Sequence, residues 1–242
     1  MLSVFTLDSK PSEAAAATSQ HRLLLMNNSQ AEERDVVKTD AVEIPESVVK
    51  RLDPVVLEVF SKEDFHRVDM RTIARRAGMS FTTIYRHFSD KESLLFWFIA
   101  HWLKDLQAVA IQSLAGDKET SSLVLMRNYL VAHFRFYEAQ PDVGRIIFMG
   151  VPLVRWMQDS TYSYREPIRR LIAVIKAGQK AGEIRDDVTP LAIVDLLSGT
   201  FNRTFLMWEY RGRTDSLVAQ ADEVFSLITG GIQNSGASTR GR

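Results

Sequence analysis

From about residue 90 to residue 230, apolar side chains recur at every third or fourth position and hardly ever at every second. That spacing lines one side of a helix, whereas a half-buried strand would alternate. Glycine and proline number only 12 and 7 in 242 residues, too few to punctuate a set of short strands. The pattern predicts an all-α fold. Leu94, Leu95, Phe98, Trp102, Leu106 and Val109 form one stripe behind Asp90, which is placed to cap the helix. A second stripe runs from Glu119 to Gln140 through Leu123, Met126, Leu130, Phe134 and Tyr137, and Pro141 forbids its continuation. Asp142 is then placed to cap a short helix ending near Met149. A third helix from Ser163 to Ala181 stops at Gly182. Thr189 and Pro190 open a fourth as cap and first-turn proline, and Leu217, Ala221, Val224 and Ile228 mark the last.

The two ends lack this periodicity. Residues 1–44 mix Ser, Asn, Gln and an alanine run, and residues 231–242 are rich in Gly, Ser, Thr and Arg, so both are expected to be disordered tails. Between them the chain divides into a small domain at 45–92 and a larger helical domain at 93–230. A hydrophobic content of 45% is enough for a buried core. The absence of cysteine excludes disulfides, thiolate metal sites and a cysteine nucleophile. No leader pattern is present and no apolar run reaches the roughly 18 residues of a membrane helix, so a cytoplasmic location without a membrane partner is expected.

Net charge is zero, so any affinity for a polyanion must be local. From Arg67 to Lys91 the cations are Arg67, Arg71, Arg75, Arg76, Arg86 and Lys91, against Asp69 and Asp90 alone, and six minus two leaves an excess of four. The same stretch holds Ala74, Gly78 and Ile84 in the spacing of a helix-turn-helix. A small residue lets two helices cross closely, a glycine permits the sharp turn, and an isoleucine closes the core beneath. Asp69 and Ser80 stand where caps are needed. The second helix then exposes Phe81, Thr82, Thr83, Tyr85, Arg86 and His87, polar and aromatic groups suited to a major groove. Thr82, Thr83 and Arg86 are candidates for base contact, and Phe81 for thymine methyls. Tyr85, His87, Lys91, Arg71, Thr72 and Ser80 are candidates for phosphate contact.

The run from Thr72 to Ser80, with Ile84-Tyr85-Arg86-His87-Phe88 and Lys91-Glu92-Ser93-Leu94-Leu95, closely resembles the N-terminal domain of the TetR (TetR/AcrR) family of bacterial regulators. The likeness is dense from Val56 to Leu95, and Gly182 to Asp187 is similar to a loop often found in that family before its penultimate helix. Asp64 departs from it, standing where a glycine usually ends the first helix, and Pro54 falls where that helix normally runs unbroken. The resemblance implies a homodimer through the last two helices, reading a palindromic double-stranded operator. It also implies a pocket among the middle helices for a small apolar or aromatic effector. Candidate lining residues are Trp102, Met126, Tyr129, His133, Phe134, Phe148, Met149, Trp156, Tyr162 and Trp208, with Arg127, His133, Arg135 or Arg155 to orient a polar head. Repression relieved by the effector is the expected activity; a DNA-organising or recruiting protein without an effector is the alternative. No enzyme is expected, since phosphate-loop, dinucleotide and HExxH patterns are missing, and neither cofactor nor metal is implied by the five scattered histidines.

Overall fold

The computed structural model describes residues 44–234 apart from 118 and 163. The expected tails lie outside the described residues except at their inner edges, and there the boundaries move. Ile44 already packs on the core, and the last helix continues through Gly230 and Gly231 to Ile232, which is buried. Its end is held because the Arg185 N–H donates to the Ile232 carbonyl at 2.9 Å and Ile184 bridges to Gln233. Among the described residues, that isolated bridge is the only extended pairing; all the rest of the regular structure is helical.

Helix α1, Glu46–Lys62, runs straight through Pro54. Proline in a helix interior forfeits a hydrogen bond, but Pro54 faces solvent while Leu52, Val56, Val59 and Phe60 bury the opposite side, and packing overrides the local penalty. No left-handed residue ends α1. Glu63 is extended, and the Asp64 carboxylate instead accepts the His66 N–H at 2.9 Å. Helices α2 (Met70–Arg76) and α3 (Phe81–Tyr85) complete the small domain.

Helix α4, Lys91–Ser113, begins with a reciprocal Asp90–Ser93 cap and carries fully buried Leu94, Leu95, Phe98 and Ile99. By length and apolar content it would suffice to cross a membrane, yet half of the most apolar stretch is buried in the fold. Helix α5, Ser122–Ala139, is capped by Ser121 and packs against α4, α8, α9 and α10. Pro141 starts α6, Pro141–Arg145, and the chain then loosens into a π-helical turn at Ile146–Gly150. Gln140, not Asp142, occupies the cap position there. Helix α7, Leu153–Gln158, has no counterpart among the expected elements. Helix α8, Arg165–Ala181, ends at Gly182 with φ +76°, as its glycine predicted. Thr189 caps α9, Pro190–Tyr210, and α10 spans Ala221–Ile232. The α8–α9 loop ties the bundle together: Ser121 donates to the Glu183 carboxylate at 2.6 Å, and Ile184 is fully buried.

Candidate nucleic-acid interface and ligand cavity

The turn between α2 and α3 is built from the residues that the sequence singled out. Ile73 and Ile84 are fully buried, Ala74 nearly so, and Gly78 takes φ +60°. The Asp69 carboxylate accepts the Arg71 N–H at 3.2 Å, and the Ser80 hydroxyl accepts the Thr83 N–H at 3.1 Å. No periodic pattern or motif marks Arg51. From α1, its guanidinium donates to the Ala77 carbonyl at 3.2 Å and to the Gly78 carbonyl, satisfying acceptors that the end of α2 leaves orphaned.

Phe81, Thr82, Tyr85 and Arg86 all project from α3 into solvent. Phe81 does not fold back into the core; its ring lies 4.3 Å from that of Tyr85, with the Arg71 guanidinium 5.6 Å from its centre. Thr72, Thr83 and His87 are half-buried. The Thr83 hydroxyl is bonded to that of Ser80 at 2.7 Å, so both serve the start of α3. Lys91 is also occupied internally: its ammonium donates to the carbonyls of Phe65, His66 and Val68 at 2.7, 3.2 and 3.3 Å. It fastens the α1–α2 loop to α4.

A cavity of about 340 Å³ lies between α5, α7, α8 and α9, with Leu103 of α4 at one wall. Tyr129, His133, Phe148, Trp156 and Tyr162 line it; Trp102, Met126, Phe134, Met149 and Trp208 do not. Trp102 donates its indole N–H to Asp53 at 2.5 Å and so straps α1 to α4. Met126 and Phe134 are wholly buried as core filler. Trp208 is held by the Asp215 carbonyl at 2.6 Å, and Met149 is largely exposed in a groove beside Phe60. The expected basic anchors are elsewhere too: Arg127 pairs with Asp222 and Arg155 with Glu92, and neither they nor Arg135 reach the cavity. Unforeseen wall residues include Tyr137, Tyr164, Phe201 and Asn202. Asn202 did carry a signal, as a polar residue between Phe201 and Phe205 on an apolar stripe.

Inside, the His133 Nδ1–H donates to the Tyr129 carbonyl at 2.7 Å, which fixes the tautomer and leaves Nε2 to accept from the Tyr164 hydroxyl. Burial lowers the pKa of His133 to about 4, so the ring is neutral at physiological pH. Burial also raises the Tyr129 and Tyr164 phenols above the ordinary tyrosine range.

Residues 56–96, which include α2, α3 and the start of α4, match the model for bacterial regulatory proteins of the tetR family. Over these residues the chain is similar to the DNA-binding domain of that family. A fatty acid metabolism regulator protein of Bacillus subtilis is 23% identical over 194 residues, covering 74% of this chain and 92% of its own. The fold also matches the transcriptional regulator FadR of Bacillus subtilis, determined with stearoyl-CoA, at a TM-score of 0.65 and 18% identity, covering 76% of this chain and 99% of the other. A ketosteroid transcriptional regulator, KstR2 of Mycobacterium tuberculosis, matches at 0.61 and 18% identity, over 80% and 98% of the two chains. The match at 56–96 and the relative along most of the chain are thus both to transcriptional regulators.

Proposed function

We propose that this protein is a transcriptional regulator of the tetR family, a homodimeric repressor that leaves a palindromic operator when a small, largely apolar effector enters the α5–α9 cavity. The observation that carries the reading is the division of labour at α3. Its outer face offers Phe81, Thr82, Tyr85 and Arg86 while its inner contacts, its cap and the Arg51 clasp hold it in place. Thr82 and Arg86 are assigned to base edges, Phe81 to thymine methyls, and Tyr85 and Arg71 to phosphates. Ser80, Thr83 and Lys91 position the helix, with Thr72 and His87 at its flanks.

Dimerisation is supported by the exposed side of α9 and α10, where Leu196 and Leu227 are 44% and 75% exposed. A side chain added at Gly199 would meet nothing within 4 Å, which leaves room for a second backbone. Two-fold symmetry then places two α3 helices on half-sites about 34 Å apart. The effector acts by favouring a state in which that spacing is lost.

The cavity and the reading head meet at α4. Arg155, beside the cavity residue Trp156, pairs with Glu92 at 2.7 Å, and Glu92 adjoins Lys91. Selection of genomic fragments by the purified protein tests the proposal. It should yield one two-fold symmetric motif, and fragments with no shared motif would refute it.

A further inference from the structure

Granting that the cavity is the effector site, we infer that it takes an uncharged amphiphile whose polar end both accepts and donates hydrogen bonds, reading Trp156 and Asn202. Two of the residues that line it each carry a buried polar atom without a partner: the indole N–H of Trp156, a residue only 3% exposed, and the side-chain oxygen of Asn202. Buried polar groups are almost always bonded, so an unmet donor and an unmet acceptor in one cavity mark the places where a ligand's polar atoms sit. The indole calls for an acceptor and the amide oxygen for a donor. A hydroxyl supplies both kinds of atom, whereas a carboxylate has acceptors only and a quaternary ammonium has neither.

Charge points the same way. Among the described residues the walls contain no lysine or arginine, and the one formal charge is that of Asp195. His133 is no substitute for a cation, since both of its nitrogens are engaged within the protein. An anionic head would thus be desolvated with no counter-charge. The volume, about 340 Å³, is near the lower end of the roughly 300 to 1,000 Å³ range of small-molecule sites, so the occupant is of medium size.

The test is calorimetric titration of the full-length protein with four probes of one chain length: 1-decanol, decanoate, decyltrimethylammonium and decanoyl-CoA. Decanol should bind at least about tenfold more tightly than the other three. Trp156→Phe, which keeps an aromatic ring and removes the N–H, should weaken decanol about tenfold, and Asn202→Leu should do the same. Equal binding of a charged probe, tighter binding of decanoyl-CoA, or variants that bind decanol like the wild type would each overturn the inference while leaving an effector site in place. Failure of all four probes to bind would overturn both the inference and the reading of the cavity beneath it.

Discussion

Arg51 should control the precision of the reading head without touching DNA. Arg51→Met keeps an aliphatic stem on α1 and removes the donors that hold the Ala77 and Gly78 carbonyls. Ala77 is buried and its carbonyl loses a bond with little access to water, whereas Gly78 is exposed and recovers hydration. The expected loss is about 1 kcal/mol from the first and less from the second, or roughly 1–2 kcal/mol in the docking of α3. Affinity falls with the fraction of docked heads, so 1.4 kcal/mol costs at most about tenfold per head, and at most about a hundredfold for a two-headed protein. Hydrogen exchange at residues 77–83 should accelerate, and operator isotherms should shift while the ranking of operator sequences stays the same. Arg51→Lys, with a point charge in place of a fork, should recover part of the loss. Unchanged exchange together with unchanged affinity would refute the clasp, and an altered sequence ranking would mean that Arg51 contacts bases.

Acid should destabilise the protein through His133. Its native pKa of about 4 lies below the unfolded value of 6.5, so the unfolded chain binds the extra proton between them and stability falls as pH drops from about 6.5 to 4. The contribution is on the order of 3 kcal/mol, and His133→Gln should flatten that part of the stability–pH curve; an unchanged slope would contradict it. Gly144→Ala would drive a Cβ into the ring of Phe205, itself confined by Tyr137, Phe148 and Trp208. Its urea midpoint should fall by the equivalent of about 1–3 kcal/mol at constant slope. The double variant Leu196→Glu, Leu227→Glu should sediment as a monomer and lose operator binding with its helicity intact; a persistent dimer would exclude the α9–α10 face.

Local steric rules made much of the fold legible. Ala74, Gly78, Ser80 and Ile84 each act within a few residues of themselves, and so do the caps Asp69, Asp90 and Thr189 and the stop at Gly182. What escaped the sequence depends on distance along the chain. Arg51 meets partners 26 and 27 residues away, Trp102 meets one 49 residues away, and neither pairing follows from a periodic pattern. Lys91 was legible as a cation near the head but not as one turned inward. Cavity membership was half legible for a related reason. A helical stripe tells which face is apolar, but Met126 and Tyr129 share such a face while only Tyr129 borders the gap. Helix α7 and the π turn before it, too short for a periodic signature, supply Trp156 and Phe148 to that wall.

Crossing side-chain and base-pair substitutions shows whether α3 reads base edges. Wild type and Arg86→Ala would be titrated against the selected operator and against versions altered at one base pair at a time, at fixed salt. A substituted base pair typically costs about 1–3 kcal/mol in a specific complex. If Arg86 reads a base edge, this cost disappears in Arg86→Ala at one symmetry-related position and persists at the others. Uniform weakening with every base preference preserved would contradict it and leave Arg86 as a phosphate contact.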